Sequence, residues 1–182
     1  MIYDLPTSIN IGDTTYEIRS DYRAILDICV ALSDPELDNQ SRAIVALTIF
    51  YPSFEDMPHE HYEEALKKCF WFINGGKEDN GQKQPRLMDW EQDFPILVAP
   101  VNRVLGQEIR LAEYLHWWSF LSAYMEIGGD CTFAQVVSIR DKLARHKKLE
   151  QQEKEWLRRN RDLVDFKRKY TDAEEELLKQ WI

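Results

Sequence analysis

A chain of 182 residues with 44% hydrophobic and 12% aromatic residues can bury a sizeable core, which excludes global disorder. Its net charge of −9 opposes general affinity for nucleic acid, and no stretch approaches the roughly 20 apolar residues needed to cross a bilayer. Three widely spaced cysteines, Cys29, Cys69 and Cys131, match neither a zinc site nor a disulfide framework. We therefore expect a soluble intracellular protein with reduced thiols and no membrane partner.

The first half of the chain predicts a β-hairpin followed by three helices. Residues 8–11 and 15–18 alternate apolar and polar side chains around Gly12-Asp13-Thr14, as two short paired strands do. Capping residues, prolines and glycines then set the helix boundaries. The predicted helices run from an N-cap at Ser20 to Asp34, from Asn39 to Tyr51, and from Pro58 to Gly75.

The second half predicts further helices after a polar loop over residues 75–85. The predicted boundaries are Asp89 to Gly106, Leu111 to Ile127, and a helix opened by a capping box from Thr132 to Gln135. Within the first of these, Pro100 removes a backbone donor, so we expect a kink or a division there.

The aromatic octet Tyr114–Leu121 lies inside the second of these helices. It contains four aromatic rings and His116 within about two turns, so its apolar side chains point all round the axis. A helix that is apolar on every side is normally buried on every side. We therefore expect a central core element, with His116 hydrogen-bonded inside it. The candidate core residues are Leu115, His116, Trp117, Trp118 and Phe120.

The C-terminal part is basic and amphipathic. From Lys142 to Tyr170 there are eleven Lys or Arg residues and five acids, a net charge of +6 that leaves −15 on the remainder. A seven-residue spacing of Leu149, Trp156, Leu163 and Tyr170 predicts a single amphipathic helix of about 22 residues, roughly 33 Å long. Such a stripe either binds a partner helix or packs on its own domain. The candidate partner-binding residues are Trp156, Leu157, Leu163, Val164 and Tyr170.

These elements indicate a mainly α-helical fold with a small N-terminal β-hairpin and a long charged C-terminal helical arm. We divide the chain into a hairpin and helical core over residues 1–147 and an amphipathic arm over residues 148–182. A second capping box at Thr171 opens a short last helix within that arm.

Candidate catalytic chemistry is sparse in this sequence. His59, His61 and Glu64 are the one cluster of metal-ligand types, but their spacing misses the i, i+4 histidines of zinc hydrolases. The alternative explanation is an acid-rich first turn that complements a helix dipole. No nucleophile motif and no glycine-rich phosphate loop is present. We therefore predict a non-enzymatic protein with no catalytic residues, no metal and no cofactor; a metal-dependent hydrolase is the alternative.

Basic residues such as Arg158, Arg159 and Arg161 could neutralise phosphates. The interspersed acids and the −15 remainder oppose that binding, so we do not expect a nucleic-acid partner.

Several motifs resemble the bacteriophage family named for its fifteenth gene product, from long-tailed phages and prophages of Gram-positive bacteria. The most specific are Tyr114-Leu115-His116-Trp117-Trp118 and the later pair Ile139-Arg140. N-terminal motifs agree as well: Leu5-Pro6, Tyr16-Glu17-Ile18, Asp21-Tyr22-Arg23, Asp34-Pro35, Phe50-Tyr51, Trp71-Phe72-Ile73 and Gly75-Gly76.

The resemblance implies a tail assembly chaperone that coats the tape-measure protein while the tail tube polymerises around it. The implied partners are the tape-measure protein and other tail proteins, with homo-oligomer formation open. The implied location is the host bacterial cytoplasm during assembly, and the protein need not remain in the virion. The alternative is a structural tail or connector component that does remain there. The resemblance brings no catalytic residues.

Overall fold

The computed structural model describes residues 4–78, 81 and 85–167. It confirms a mainly α-helical chain with an N-terminal antiparallel hairpin of two strands, β1 and β2, and helical C-terminal residues. None of the helices within the described residues is both long and apolar enough to span a membrane. The elements are β1 (Ser8–Ile11), β2 (Thr14–Glu17), α1 (Tyr22–Leu32), α2 (Asn39–Phe50), α3 (Tyr62–Ile73), α4 (Trp90–Leu105), α5 (Trp117–Met125), α6 (Thr132–Ala144), α7 (Gln151–Arg159) and α8 (Arg161–Val164).

The described residues form two compact units. Unit 1 contains residues 4–78 and 116–118, and unit 2 contains residues 81, 85–115 and 119–167. The boundary that we placed between residues 147 and 148 remains a prediction.

Unit 1 has the hairpin and three helices. Ile9 of β1 lies opposite Tyr16 of β2, and both are buried while their strand neighbours face outward, which is the alternation that the sequence predicted. Gly12 adopts φ 54° in the turn, a left-handed conformation that glycine reaches without steric cost. In the helical core, the rings of Phe50 and Phe72 lie 5.2 Å apart between α2 and α3.

Helix α1 begins one residue later than predicted. The cap is Asp21, whose carboxylate accepts a hydrogen bond from the Arg23 amide at 3.0 Å. Ser20 is wrong as the N-cap. Its carbonyl accepts the Trp117 amide at 2.7 Å, so its backbone instead joins the segment at residues 116–118 to the start of α1.

Helix α4 keeps its predicted ends, with Asp89 as N-cap and Gly106 as a left-handed C-cap at φ 68°. Of the kink or division predicted at Pro100, the division is wrong, because α4 runs continuously through both Pro95 and Pro100, and the kink stays a prediction. A proline removes a single donor from the helical ladder, and the buried apolar face of α4, which includes Leu97 and Pro100, is retained.

The aromatic octet is helical only in part, so the predicted helix from Leu111 to Ile127 is wrong at its start. Residues 109–111 form a 3₁₀ turn, and Leu111 and Tyr114 are 83% and 53% exposed. The backbone of His116 pairs with that of Asp21 as an isolated β-bridge, and this extended pairing delays the helix to Trp117. Among the candidate core residues, Leu115, His116, Trp117 and Phe120 are buried and Trp118 is half-buried.

His116 fixes the start of α5 from both sides of its ring. Nδ1 accepts the Trp118 amide at 3.0 Å, which places an acceptor at the first turn of the helix. Nε2 lies 3.0 Å from the carbonyl oxygen of Pro6, so the proton of the neutral ring belongs on Nε2, which donates. The two indoles that follow donate to the end of α3, Trp117 to the carbonyl of Ile73 and Trp118 to that of Phe72, each at 2.9 Å.

The C-terminal stripe is not the single helix of about 22 residues that we predicted. It comprises α7 and α8, separated at Asn160, whose backbone at φ −125° and ψ 32° leaves the helical region. The Asn160 side-chain amide also donates to the carbonyl of Trp156 at 2.9 Å, near the C-terminal end of α7. The N-cap of α6 is Cys131 and not the predicted Thr132. Tyr170 and the helix predicted from Thr171 lie outside the described residues.

Candidate functional site

Helices α7 and α8 pack on an apolar face of unit 2. Val136 and Ile139 of α6 form a buried cluster with Val164 of α8, and the partly buried side chains packed against it are Ile96, Leu149, Trp156, Leu157 and Leu163. Four of the five candidate partner-binding residues therefore contact this face. Val164 is 2% exposed, while Trp156, Leu157 and Leu163 each keep part of their surface in solvent. Their binding to a partner remains a prediction.

A buried arginine, Arg140 of α6, holds the end of α8. Its guanidinium uses all five N–H groups. Nε donates to the carbonyl of Val164 at 2.7 Å, and one terminal nitrogen donates to that of Leu163 at 2.8 Å. The two terminal nitrogens, Nη1 and Nη2, each donate to one carboxylate oxygen of Asp93, at 2.6 and 3.0 Å. Nη1 also donates to the carbonyl of Leu87. The arginine thus caps the carbonyls that a helix leaves unpaired at its C-terminus.

Asp93 provides the compensating charge for Arg140. Both side chains are almost fully buried, with 3% of the arginine and 1% of the aspartate exposed. Asp93 belongs to the first turn of α4, where a carboxylate is favoured by the helix dipole, and it also accepts the Asp89 amide at 2.9 Å. Removing either charge would leave the other buried without its partner.

Gln92 binds the residues that follow α8. Its side-chain amide donates to the carbonyl of Asp165 at 3.0 Å, and its carbonyl oxygen accepts the Lys167 amide at 2.9 Å. The Arg140 guanidinium carbon lies 4.1 Å from the centroid of the Phe166 ring, which is a cation–π contact. We call Gln92, Asp93 and Arg140 the α8 clamp, because Gln92 and Arg140 bind the main chain between Leu163 and Lys167 and Asp93 holds the Arg140 guanidinium.

The connection between α6 and α7 has an unusual backbone. His146 lies at φ 55°, the only described residue other than glycine with positive φ. The His146 amide bonds to the carbonyl of Leu143 and the Lys147 amide to that of Lys142, at 3.1 and 2.7 Å. This is a Schellman motif with histidine at the position that glycine usually occupies.

The clamp was missed by sequence reasoning. Arg140 and Asp93 are 47 residues apart, and nothing in the spacing of either residue indicates the other. A signal was nevertheless present. An arginine directly after Ile139, on the apolar face of a predicted helix, needs either solvent or a buried acid.

The sequence cluster at His59, His61 and Glu64 has a structural explanation. His61 Nδ1 lies 2.7 Å from the hydroxyl of Tyr16, and the His59 ring packs on Tyr62 at 4.7 Å between centroids. Across residues 4–78, 81 and 85–167, no three His, Cys, Asp or Glu side chains are grouped so that they could hold a metal ion. Burial raises the pKa of the Cys29 thiol and, together with the Cys29 charge, that of Cys69, each to about 12, which makes both poor nucleophiles at neutral pH.

Comparison with protein families gives one match over residues 1–96. The matching family is described as "Bacteriophage Gp15 protein". Neither the curated proteins nor the solved structures gave a match. The matched region covers just over half of the chain, including the hairpin, α1 to α3 and the first turn of α4 with Gln92 and Asp93.

Proposed function

Because this chain belongs to the bacteriophage Gp15 protein family, we propose that it is a non-enzymatic tail assembly chaperone that acts on the tape-measure protein. The observation that carries the proposal is the family match, together with the tail-assembly role that the resemblance implies. The family membership makes the protein phage-related. The assembly step and the tape-measure partner are the parts proposed here.

The surface chemistry of unit 2 supports a role in binding another polypeptide. Leu111, Tyr114 and Met125 are 83%, 53% and 59% exposed, and each leaves a large apolar side chain in water. Trp156, Leu157 and Leu163 add half-buried apolar surface along α7 and α8. A chaperone for a long helical protein needs such surface, because its substrate presents apolar stripes before assembly.

We propose that the apolar stripe of α7 and α8 contacts the tape-measure protein through the exposed parts of Trp156, Leu157 and Leu163. Val164 is buried, so its participation requires α8 to leave the clamp. An amphipathic helix of the partner would lie along the stripe, with polar contacts from the surrounding charges. Tyr170 belongs to the same proposed set.

The test is co-expression with the tape-measure protein encoded by the same phage or prophage. The wild-type chain is expected to keep the tape-measure protein soluble and to co-purify with it. The Trp156→Glu/Leu163→Glu variant is expected to lose co-purification, because two charges are placed in the proposed interface. A matched control, Gln152→Glu/Arg159→Glu, places two glutamates at exposed positions of α7 and should retain binding.

Circular dichroism and thermal unfolding must show that both variants are folded. If the first variant does not fold, Leu157→Ser replaces it, since Leu157 is only half-buried. Normal co-purification by a folded stripe variant would remove these residues from the interface. A tape-measure protein that is equally soluble with and without the chain would contradict the chaperone function itself.

Mass spectrometry of purified virions separates this function from that of a retained tail or connector component. A chaperone is expected to be absent or far below stoichiometric amounts, whereas a structural component is present in fixed copy number.

A further inference from the structure

The contacts that hold α7 and α8 fall on two sides of one short connection. The side chains of the α8 clamp all precede residue 145, and the main-chain groups at and after the end of α8 that Gln92 and Arg140 bind all follow residue 162. A second contact across the connection joins Lys142 to Glu153 at 2.5 Å. Residues 145–150 link the two sides. Every one of these contacts could therefore form between two copies of the chain as well as within one.

The connection itself differs between those two arrangements. To fold α7 back on its own α6, His146 must adopt the left-handed conformation, which is unfavourable for a residue with a Cβ. An extended connection of six residues spans up to about 20 Å and needs no left-handed residue. Opening also breaks the hydrogen bonds that the backbone amides of His146 and Lys147 donate. Both residues are exposed, so hydrogen bonds to water replace them. Relief at His146 favours the open connection and offsets part of the packing that Leu149 loses when residues 145–150 extend.

We propose that the segment from Gln151 to Phe166 exchanges between two copies of this chain, so that the Arg140 of each copy, paired with its own Asp93, binds the α8 of the other. Exchange of an identical element is a low-cost route to a dimer, because it replaces each internal contact by the same contact between chains. The α8 clamp is then the intermolecular site. This inference concerns the purified chain alone and does not depend on the tape-measure partner.

Site-directed cross-linking tests the exchange directly. A tagged Lys142→Cys chain and an untagged Glu153→Cys chain, both also carrying Cys131→Ser, are unfolded together, refolded, separated by size and treated with a short bismaleimide. Cys69 is buried and remains, whereas Cys29 is only half-buried, so both chains also carry Cys29→Ala. We expect a covalent tagged–untagged dimer from the dimer fraction. A dimer fraction that gives no such product overturns the proposal, as does a chain that stays monomeric up to millimolar concentration.

A matched pair within unit 2 provides the control. Arg103 and Asp130 also form an ion pair, at 3.2 Å, but both precede the connection. The mixture of Arg103→Cys and Asp130→Cys chains, prepared in the same way, should give no covalent dimer. An equally strong product from this pair would show non-specific proximity and overturn the exchange.

Substitution of His146 tests the role of the connection. His146→Gly accepts the left-handed conformation without strain and should raise the dimer dissociation constant by about tenfold. His146→Val disfavours that conformation further and should lower it by a similar factor. Because residue 146 is exposed, both variants are expected to fold. Equal dissociation constants for the two variants, or the reverse order, would contradict the proposed exchange.

Discussion

The two units secure a distant segment of the chain by the same kind of contact but with different donors. In unit 1, neutral indoles of Trp117 and Trp118 donate to the carbonyls of Ile73 and Phe72. In unit 2, the charged guanidinium of Arg140 donates to the carbonyls at the end of α8. Both arrangements supply donors to main-chain carbonyls at a helix C-terminus, although the Phe72 carbonyl also accepts the Gly75 amide at 3.0 Å.

The difference lies in what remains when the donor is removed. Without an indole N–H, a carbonyl loses one hydrogen bond, and the apolar ring can be replaced by another ring. Without the guanidinium, Asp93 remains buried with an uncompensated charge, and several main-chain carbonyls lose their donors at once. Unit 1 is therefore expected to weaken gradually under substitution, whereas unit 2 depends heavily on one residue.

The largest expected effect is that of Arg140→Met. The substitution keeps an unbranched side chain but leaves Asp93 buried and unpaired, so we expect the free energy of unfolding to fall by about 3–5 kcal/mol. Urea denaturation followed by circular dichroism measures the change. The double variant Arg140→Met/Asp93→Leu should recover part of this loss, because the buried charge is then absent. A loss below about 1 kcal/mol for the single variant would contradict the comparison.

A smaller effect is expected for Trp117→Phe in unit 1. The variant keeps a buried ring but removes the donor to the Ile73 carbonyl, so we expect a loss of about 1–3 kcal/mol. The rate at which a thiol reagent labels Cys69 provides a local measurement, since this buried thiol reacts only when the structure opens. Ile44→Val, which shortens an exposed side chain of unit 1, is the control and should label at the wild-type rate. If Trp117→Phe lowered the free energy of unfolding as much as Arg140→Met does, the expected difference between the two units would be wrong.

The smallest effect concerns pH and the start of α7. The hydrogen bond from Lys142, with that from the Glu150 amide, holds the pKa of the Glu153 carboxyl below its ordinary value. Because this pKa is lowered in the folded state, the contribution of Glu153 to stability is present above the ordinary glutamate pKa of about 4.3 and is lost as the pH falls below it. The difference in urea unfolding between the wild type and Glu153→Gln should therefore be present at pH 7 and shrink as the pH falls below about 4.3. A difference that does not depend on pH would contradict this assignment.

Local signals predicted much of the fold. Asp89 and Gly106 bound α4, and Gly75 and Gly76 follow α3 with φ of 68° and 83°, because caps and glycines act through their own backbone geometry. Alternation of side chains predicted the hairpin for the same reason. The mainly α-helical class follows from such short-range features.

Long-range pairing set what the sequence pattern could not. The octet was expected to be helical throughout, but the bridge between Asp21 and His116 keeps its first part extended. Asn160 divides the C-terminal stripe, although the apolar spacing continues through it. The α8 clamp depends on residues from α4, α6 and α8, whose meeting requires the tertiary fold. Propensity and periodicity describe neighbours along the chain, so they do not predict contacts between residues that are distant in sequence.

The position of Arg140 has a practical consequence for shortened versions of this protein. A truncation after residue 147 looks natural in the sequence, because it follows the end of α6. It would nevertheless expose Val136 and Ile139 to water and remove the Leu163 and Val164 carbonyls that accept hydrogen bonds from the Arg140 guanidinium. A version ending at Lys167 retains these contacts. Aggregation of the shorter fragment would therefore result from its newly exposed apolar surface and would not be a property of the intact chain.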